Sequence, residues 1–269
     1  MKSAVAAGVL LLAGCGAVAQ PMPAFFENHA ARLAFTLDLP DGQPPFAAVV
    51  LGHGSGRTTR DQLTFLSHRL TRYGFAVLRF DKRGAGESTG RYVNVGVTDS
   101  PERFPLLASD VAAAVRLLRT RPEIDGRRIG LAGVSQAGWI LPHAARELGD
   151  VAFVLILSGP VCTVGQEVFY SNIVERDASR TIPEAQAAMP AFNGAPGYDP
   201  LPVLRTLTTP TLWVLGLDDR SIPIELTLEN LKALKTAGRP VEWRTYPGLG
   251  HSLGPHIWDD IGPWIARFR

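Results

Sequence analysis

The segment Gly133-Val134-Ser135-Gln136-Ala137-Gly138 decides how this chain is read. A short apolar run, Arg128 to Ala132, precedes it, and a helical pattern, Trp139 to Leu148, follows. A serine pinned between a strand and a helix, with small residues on both sides, has the layout of a nucleophile elbow. The turn there is so sharp that the serine backbone is strained and its neighbours must lack bulk. One position departs from the G-x-S-x-G pattern: Ala137 stands where glycine is expected, and Gly138 follows it. Small-x-Ser-x-small also arises by chance in Gly- and Ala-rich chains, so the weight of the motif depends on its surroundings.

Working outward, strands and helices alternate from residue 30 on. Strands are predicted at Arg32 to Leu39, Phe46 to Leu51, Phe75 to Phe80, Arg128 to Ala132, Val151 to Leu157, Thr211 to Leu217 and Val241 to Tyr246. Helical patterns lie between them at Asp61 to Tyr73, Leu106 to Thr120, Ile224 to Ala237 and Ile257 to Phe268. Apolar strands separated by amphipathic helices imply an α/β fold: a mainly parallel twisted sheet with helices on both faces. In such sheets the site lies at the carboxyl ends of the strands. Two stretches break the alternation. Arg91 to Phe104 is a polar insertion. Residues 160–205 are too long for a plain connection and too apolar for disorder, and are read as a lid. Phe169, Tyr170, Met189, Phe192 and Tyr198 are its candidate pocket-lining residues, packing of the lid to the sheet being the competing role for each.

A serine nucleophile needs a base, an acid to orient the base, and donors for the oxyanion. Two carboxylates, Asp218 and Asp219, directly follow a predicted strand. Asp219 is favoured as the acid because a G-x-x-D-x-x-(I/V)-P pattern runs from Gly216 to Pro223, with Asp218 second. The base is His251, in the Gly-rich loop Tyr246-Pro247-Gly248-Leu249-Gly250-His251-Ser252 after the last strand. Oxyanion donors are expected from the backbone N–H of Gln136, next to the serine, and of Ser55 in the turn Gly52-His53-Gly54-Ser55-Gly56. His53 is assigned a structural hydrogen bond rather than the role of base.

With the H-G turn, the serine elbow, Asp219 and His251 in this order, the chain resembles the α/β-hydrolase superfamily, and most closely its dienelactone-hydrolase-like and serine-aminopeptidase-like esterases. The stretch Phe80-Asp81-Lys82-Arg83-Gly84-Ala85-Gly86-Glu87-Ser88 looks like the D-x-R-G-x-G-x-S turn of many members, where Asp81 and Arg83 fix loops. The resemblance implies a serine hydrolase that cleaves carboxylic esters through an acyl-serine on Ser135, with a small acyl compound as partner and no cofactor. A peptidase, an acyltransferase and an inactive binding protein on the same fold are the alternatives. Glu175, Asp177 and Glu184 in the lid would mark a peptidase if they met a peptide amine.

Composition sets the remaining bounds. The 269 residues are 46% hydrophobic and 19% charged, enough for one domain of 30–269 with a large core. The net charge of +2 gives no general pull toward nucleic acid. With two cysteines, Cys15 and Cys162, neither an internal disulfide nor a zinc site is expected. Residues 1–19 read as an export signal: Lys2, then the apolar run Ala4 to Ala13, too short for a lasting membrane span. Leu12-Ala13-Gly14-Cys15 fits a lipobox, which would make Cys15 a lipid anchor. Ala17-Val18-Ala19 fits an ordinary signal-peptidase site, and the lipobox is preferred. Both readings place the protein outside the cytoplasm, in a bacterial periplasm or tethered to a membrane.

Overall fold

In the computed structural model, residues 24–176 and 179–269 are described. The segment read as leader and lipobox, and Asp177, lie outside them. Eight strands form one sheet: β1 (Ala24–Asn28), β2 (Ala31–Asp38), β3 (Phe46–Gly52), β4 (Ala76–Phe80), β5 (Ile124–Val134), β6 (Val154–Leu157), β7 (Thr211–Gly216) and β8 (Val241–Tyr246). Their spatial order is β1-β2-β4-β3-β5-β6-β7-β8. The β1–β2 and β2–β4 pairings are antiparallel and the rest parallel.

Alternate side chains of a strand point to opposite faces, and this sheet buries both. Ala48 and Val50 of β3, Leu131 of β5, Ile156 of β6 and Trp213 of β7 meet helices α2 (Ser100–Arg119), α3 (Ala137–Leu148) and α7 (Ile224–Thr236). Their neighbours Val49, Leu51, Ala132, Leu155 and Leu212 meet α1 (Thr64–Arg72) and α8 (Ile257–Ile265) on the other side.

Several boundaries differ from the sequence reading, among them the starts of the sheet and of α2. The sheet starts earlier, because Ala24–Asn28 pairs with β2 and Asn28 Nδ2 donates to Asp110 Oδ1 of α2 at 2.8 Å. Helix α2 also starts earlier, at Ser100, inside the stretch read as a polar insertion. Pro105 lies within the helix, and Phe104 is fully buried against Trp139. The segment between β6 and β7 folds into α4 (Val164–Arg176), α5 (Ile182–Ala188), a 3-10 turn and α6 (Leu201–Leu204).

Candidate active site

Ser135 follows β5 and precedes α3, with a left-handed φ of +57°. That conformation strains any residue with a Cβ, and the close packing around the turn explains why it persists. A Cβ on Gly133 would come within 2.5 Å of the Ala137 methyl and 2.9 Å of the Gly52 carbonyl. The Ala137 methyl is thus tolerated, because Gly133 leaves room for it. The Ser135 N–H donates to the Leu157 carbonyl at 2.8 Å, tying the elbow to the end of β6.

The candidate acid and base come from the next strands along. His251, in the loop after β8, donates from Nδ1 to Oδ2 of Asp219 at 2.8 Å. Asp219 is fully buried, and its other oxygen accepts from the N–H groups of Ser221 at 2.8 Å and Ile222 at 3.1 Å. Asp218 is exposed, and its N–H donates to the Leu249 carbonyl. Of the two carboxylates, only Asp219 meets the histidine. With Nδ1 protonated toward Asp219, Nε2 of His251 keeps a free lone pair. Burial disfavours a charged His251 ring. The hydrogen bond and charge of Asp219, with Glu167 and Glu175, outweigh it and raise the ring above its ordinary value.

A residue that the sequence reading missed joins serine and histidine. Ser158, just past β6, also has a left-handed φ, +47°, and is fully buried. Its N–H donates to the Val214 carbonyl and its Oγ to the His251 carbonyl, both at 2.8 Å. The available signal was a serine directly after a strand and before Gly159-Pro160.

On the opposite wall the turn after β3 abuts the elbow. A Cβ on Gly54 would lie 3.8 Å from that of Ser135. Ser55 is exposed at the tip of the turn and Gln136 is buried at the start of α3. His53 donates from Nε2 to the Phe80 carbonyl at 2.6 Å, the structural role expected of it. Burial, with the Lys82 charge beyond it, lowers His53 to about 4 and keeps it neutral. Lys82 Nζ donates to the carbonyls of Gly54 at 2.9 Å and Gly56 at 3.3 Å, and to Gln136 Oε1 at 2.8 Å.

The segment between β6 and β7 is fastened to the turn after β7. Tyr170 Oη donates to the Asp219 carbonyl at 2.8 Å, Ser221 Oγ to Glu175 at 3.1 Å, and Arg220 to the Val174 carbonyl. Tyr170 is fully buried, and Tyr198 packs on Phe104 and bonds His143, so both serve as packing residues. Glu184 caps α5 through Thr181. Glu167, not singled out from the sequence, lies on α4 one turn before Tyr170. Burial and the like charge of Glu175 raise it to about 7, against the pull of His251.

Fold and site together define an α/β-hydrolase of serine-hydrolase type. The chain belongs to the prolyl oligopeptidase family, whose profile matches residues 62–258. It is similar to the acylamino-acid-releasing enzyme of Rattus norvegicus, 27% identical over 193 residues, covering 68% of this chain and 25% of the relative. It is also similar to acyl-coenzyme A thioesterase 1 of Mus musculus, 26% identical over 239 residues, 83% of this chain and 52% of the relative. The chain therefore spans between a quarter and about half of these curated relatives. Among solved structures, the esterase Pf2001 of Pyrococcus furiosus superposes with a TM-score of 0.64 at 19% identity, over 88% of this chain and 87% of that one. At that identity the likeness shows the fold alone.

Proposed function

We propose that the protein hydrolyses carboxylic esters through an acyl-serine on Ser135. The observation that carries this reading is the left-handed Ser135 turn, bonded through Leu157 and Ser158 to the loop whose histidine is held by Asp219. In the proposed cycle His251 Nε2 takes the Ser135 proton as Oγ attacks the acyl carbonyl. Asp219 stabilises the imidazolium, and the N–H groups of Gln136 and Ser55 receive the oxyanion. The imidazolium then protonates the leaving alcohol. Water, deprotonated by the same ring, releases the acid and regenerates Ser135.

The test is turnover of a short-chain activated ester together with labelling by a fluorophosphonate. Ser135→Ala should lose at least about 10⁴-fold in kcat and all labelling. Undiminished turnover by that variant, in protein free of other esterases, would end the assignment.

A second reading, hydrolysis of acylated or amino-terminal peptides, has a specific observation in its favour: Glu167 and Glu175 of the lid face His251 electrostatically. A panel of esters, lactones and aminoacyl anilides separates the two. Export and a lipid at Cys15 are also proposed, on the strength of the residue 1–19 pattern. Radiolabelled palmitate that is incorporated by the wild type and lost in Cys15→Ser supports them, and label retained in Cys15→Ser overturns the anchor.

A further inference from the structure

Asp81, Lys82 and Arg83 are consecutive, yet their charges are treated differently. Asp81 is paired with Arg60 at 2.5 Å, and also accepts from the backbone N–H groups of Arg60 and Glu87. Arg83 is paired with the buried Asp110. Lys82 lies between these pairs, 3% exposed, and among the described residues its ammonium bonds only neutral oxygens: two carbonyls of the turn after β3 and the amide of Gln136. A buried cation without a carboxylate is costly, so its position calls for a reason.

Peptide geometry supplies one. The Gly54 C=O and the Ser55 N–H share one trans peptide plane and point in opposite directions. The bond that draws the Gly54 oxygen onto Lys82 therefore turns the Ser55 N–H away from Lys82. Gly54 is the residue whose Cβ position faces Ser135. The third bond fixes the side chain of Gln136, whose own N–H opens α3 beside the nucleophile. The backbone N–H of Lys82 also donates to the Thr58 carbonyl at 3.0 Å, anchoring the far end of the same turn.

We propose that Lys82 is the positioning residue of the oxyanion hole, a clamp that aims the Ser55 and Gln136 amides at the acyl oxygen while its charge stabilises the oxyanion from behind. The assignment rests on the ester-hydrolase reading above.

It has a titration signature. Burial lowers Lys82 to about 8, so the clamp is charged below that pH and lost above it. His53 is neutral, with its ring lowered to about 4. Asp81 and Asp110 are paired with arginines, and Arg83, Arg91, Tyr92 and Arg103 line the same cleft. The kcat–pH profile should thus rise as His251 loses its proton and fall near pH 8.

The deciding experiment measures kcat and KM against pH for the wild type, Lys82→Met and Lys82→Arg, with fluorophosphonate labelling in parallel. Lys82→Met should lose about 10²-fold in kcat with KM within about twofold, still take the probe slowly, and show no alkaline limb near pH 8. Lys82→Arg should recover part of kcat and carry the limb upward, because guanidinium does not titrate there. Wild-type kcat in Lys82→Met, or an alkaline limb that Lys82→Arg leaves in place, overturns the assignment. The second comparison stands even if Lys82→Met fails to fold. A wild type that neither turns over esters nor takes the probe brings down the hydrolase reading, and this assignment with it.

Discussion

The two walls of the site handle buried charge in opposite ways. On the acid–base wall, Asp219 is fully buried and answered by His251 and two backbone N–H groups. On the wall we propose for the oxyanion, Lys82 is almost as buried and, among the described residues, is answered only by neutral oxygens. A paired charge holds a geometry. An unpaired one holds a geometry and also projects a field, which is what a developing anion requires. On the proposed reading, the wall donating to the anion keeps its charge available, and the wall managing the proton neutralises its own.

The largest expected effect breaks the paired wall. Asp219→Asn keeps the shape but offers the wrong hydrogen-bond partner to Nδ1, so kcat should fall about 10⁴-fold. The acid limb should also move down, because Asp219 is what lifts the His251 ring against its burial. Asp218→Asn should stay within about twofold of wild type, since that side chain is exposed. Equal losses in the two variants would reject the distinction between the neighbouring carboxylates. The readout is kcat over a pH series.

A smaller effect belongs to the oxyanion wall and is seen in stability. His53 titrates at 6.5 in the unfolded chain and at about 4 in the fold, so its contribution is complete above pH 6.5 and drains away as pH falls toward 4. The loss amounts to about 3 kcal/mol over that window. Glu167 acts with the opposite sign. Its folded value of about 7 lies above its ordinary value of 4.5, so its unfavourable contribution grows as pH rises between them. The comparison to make is therefore wild type against His53→Gln, by urea unfolding at pH 4.5, 5.5 and 7. Wild type should lose more stability than the variant on acidification, and parallel losses would refute the assignment.

The same contrast explains what was legible in the sequence. Ser135, Asp219 and His251 stood out as candidates because their residue types suit the proposed chemistry and each follows a predicted strand, and the structure brings Asp219 onto His251. The alternation of strands was equally plain, since a sheet buried on both faces writes apolar runs such as Phe46 to Leu51. Lys82 was hidden inside a turn whose Asp81 and Arg83 looked purely structural, and its role depends on which carbonyls the fold brings to it. Ser158 was hidden because one serine after a strand is an ordinary loop residue until its Oγ meets the His251 carbonyl. Strand β1 and the first turn of α2 were missed for another reason. Ala24–Asn28 is held at the edge by pairing with β2, and Ser100–Phe104 is drawn into a helix by burial of Phe104, both long-range effects that local pattern does not record.

The smallest effect tests whether the two walls are coupled through Ser158. Its Oγ holds the histidine loop from the strand between nucleophile and acid, but it touches neither reacting atom. Ser158→Ala removes that bond and leaves Asp219–His251 intact, so kcat should fall about tenfold through looser placement of the ring. The acid limb should not move, in contrast to Asp219→Asn. Stability should fall by about 1 kcal/mol for the lost buried hydrogen bond. Ser158→Gly separates the bond from the backbone strain. It loses the same hydroxyl but relieves a Cβ held at φ +47°, so it should be more stable than Ser158→Ala by about 1 kcal/mol at the same reduced kcat. If both variants kept wild-type kcat, the serine would only close a loop, and the elbow and the histidine would be placed independently of each other.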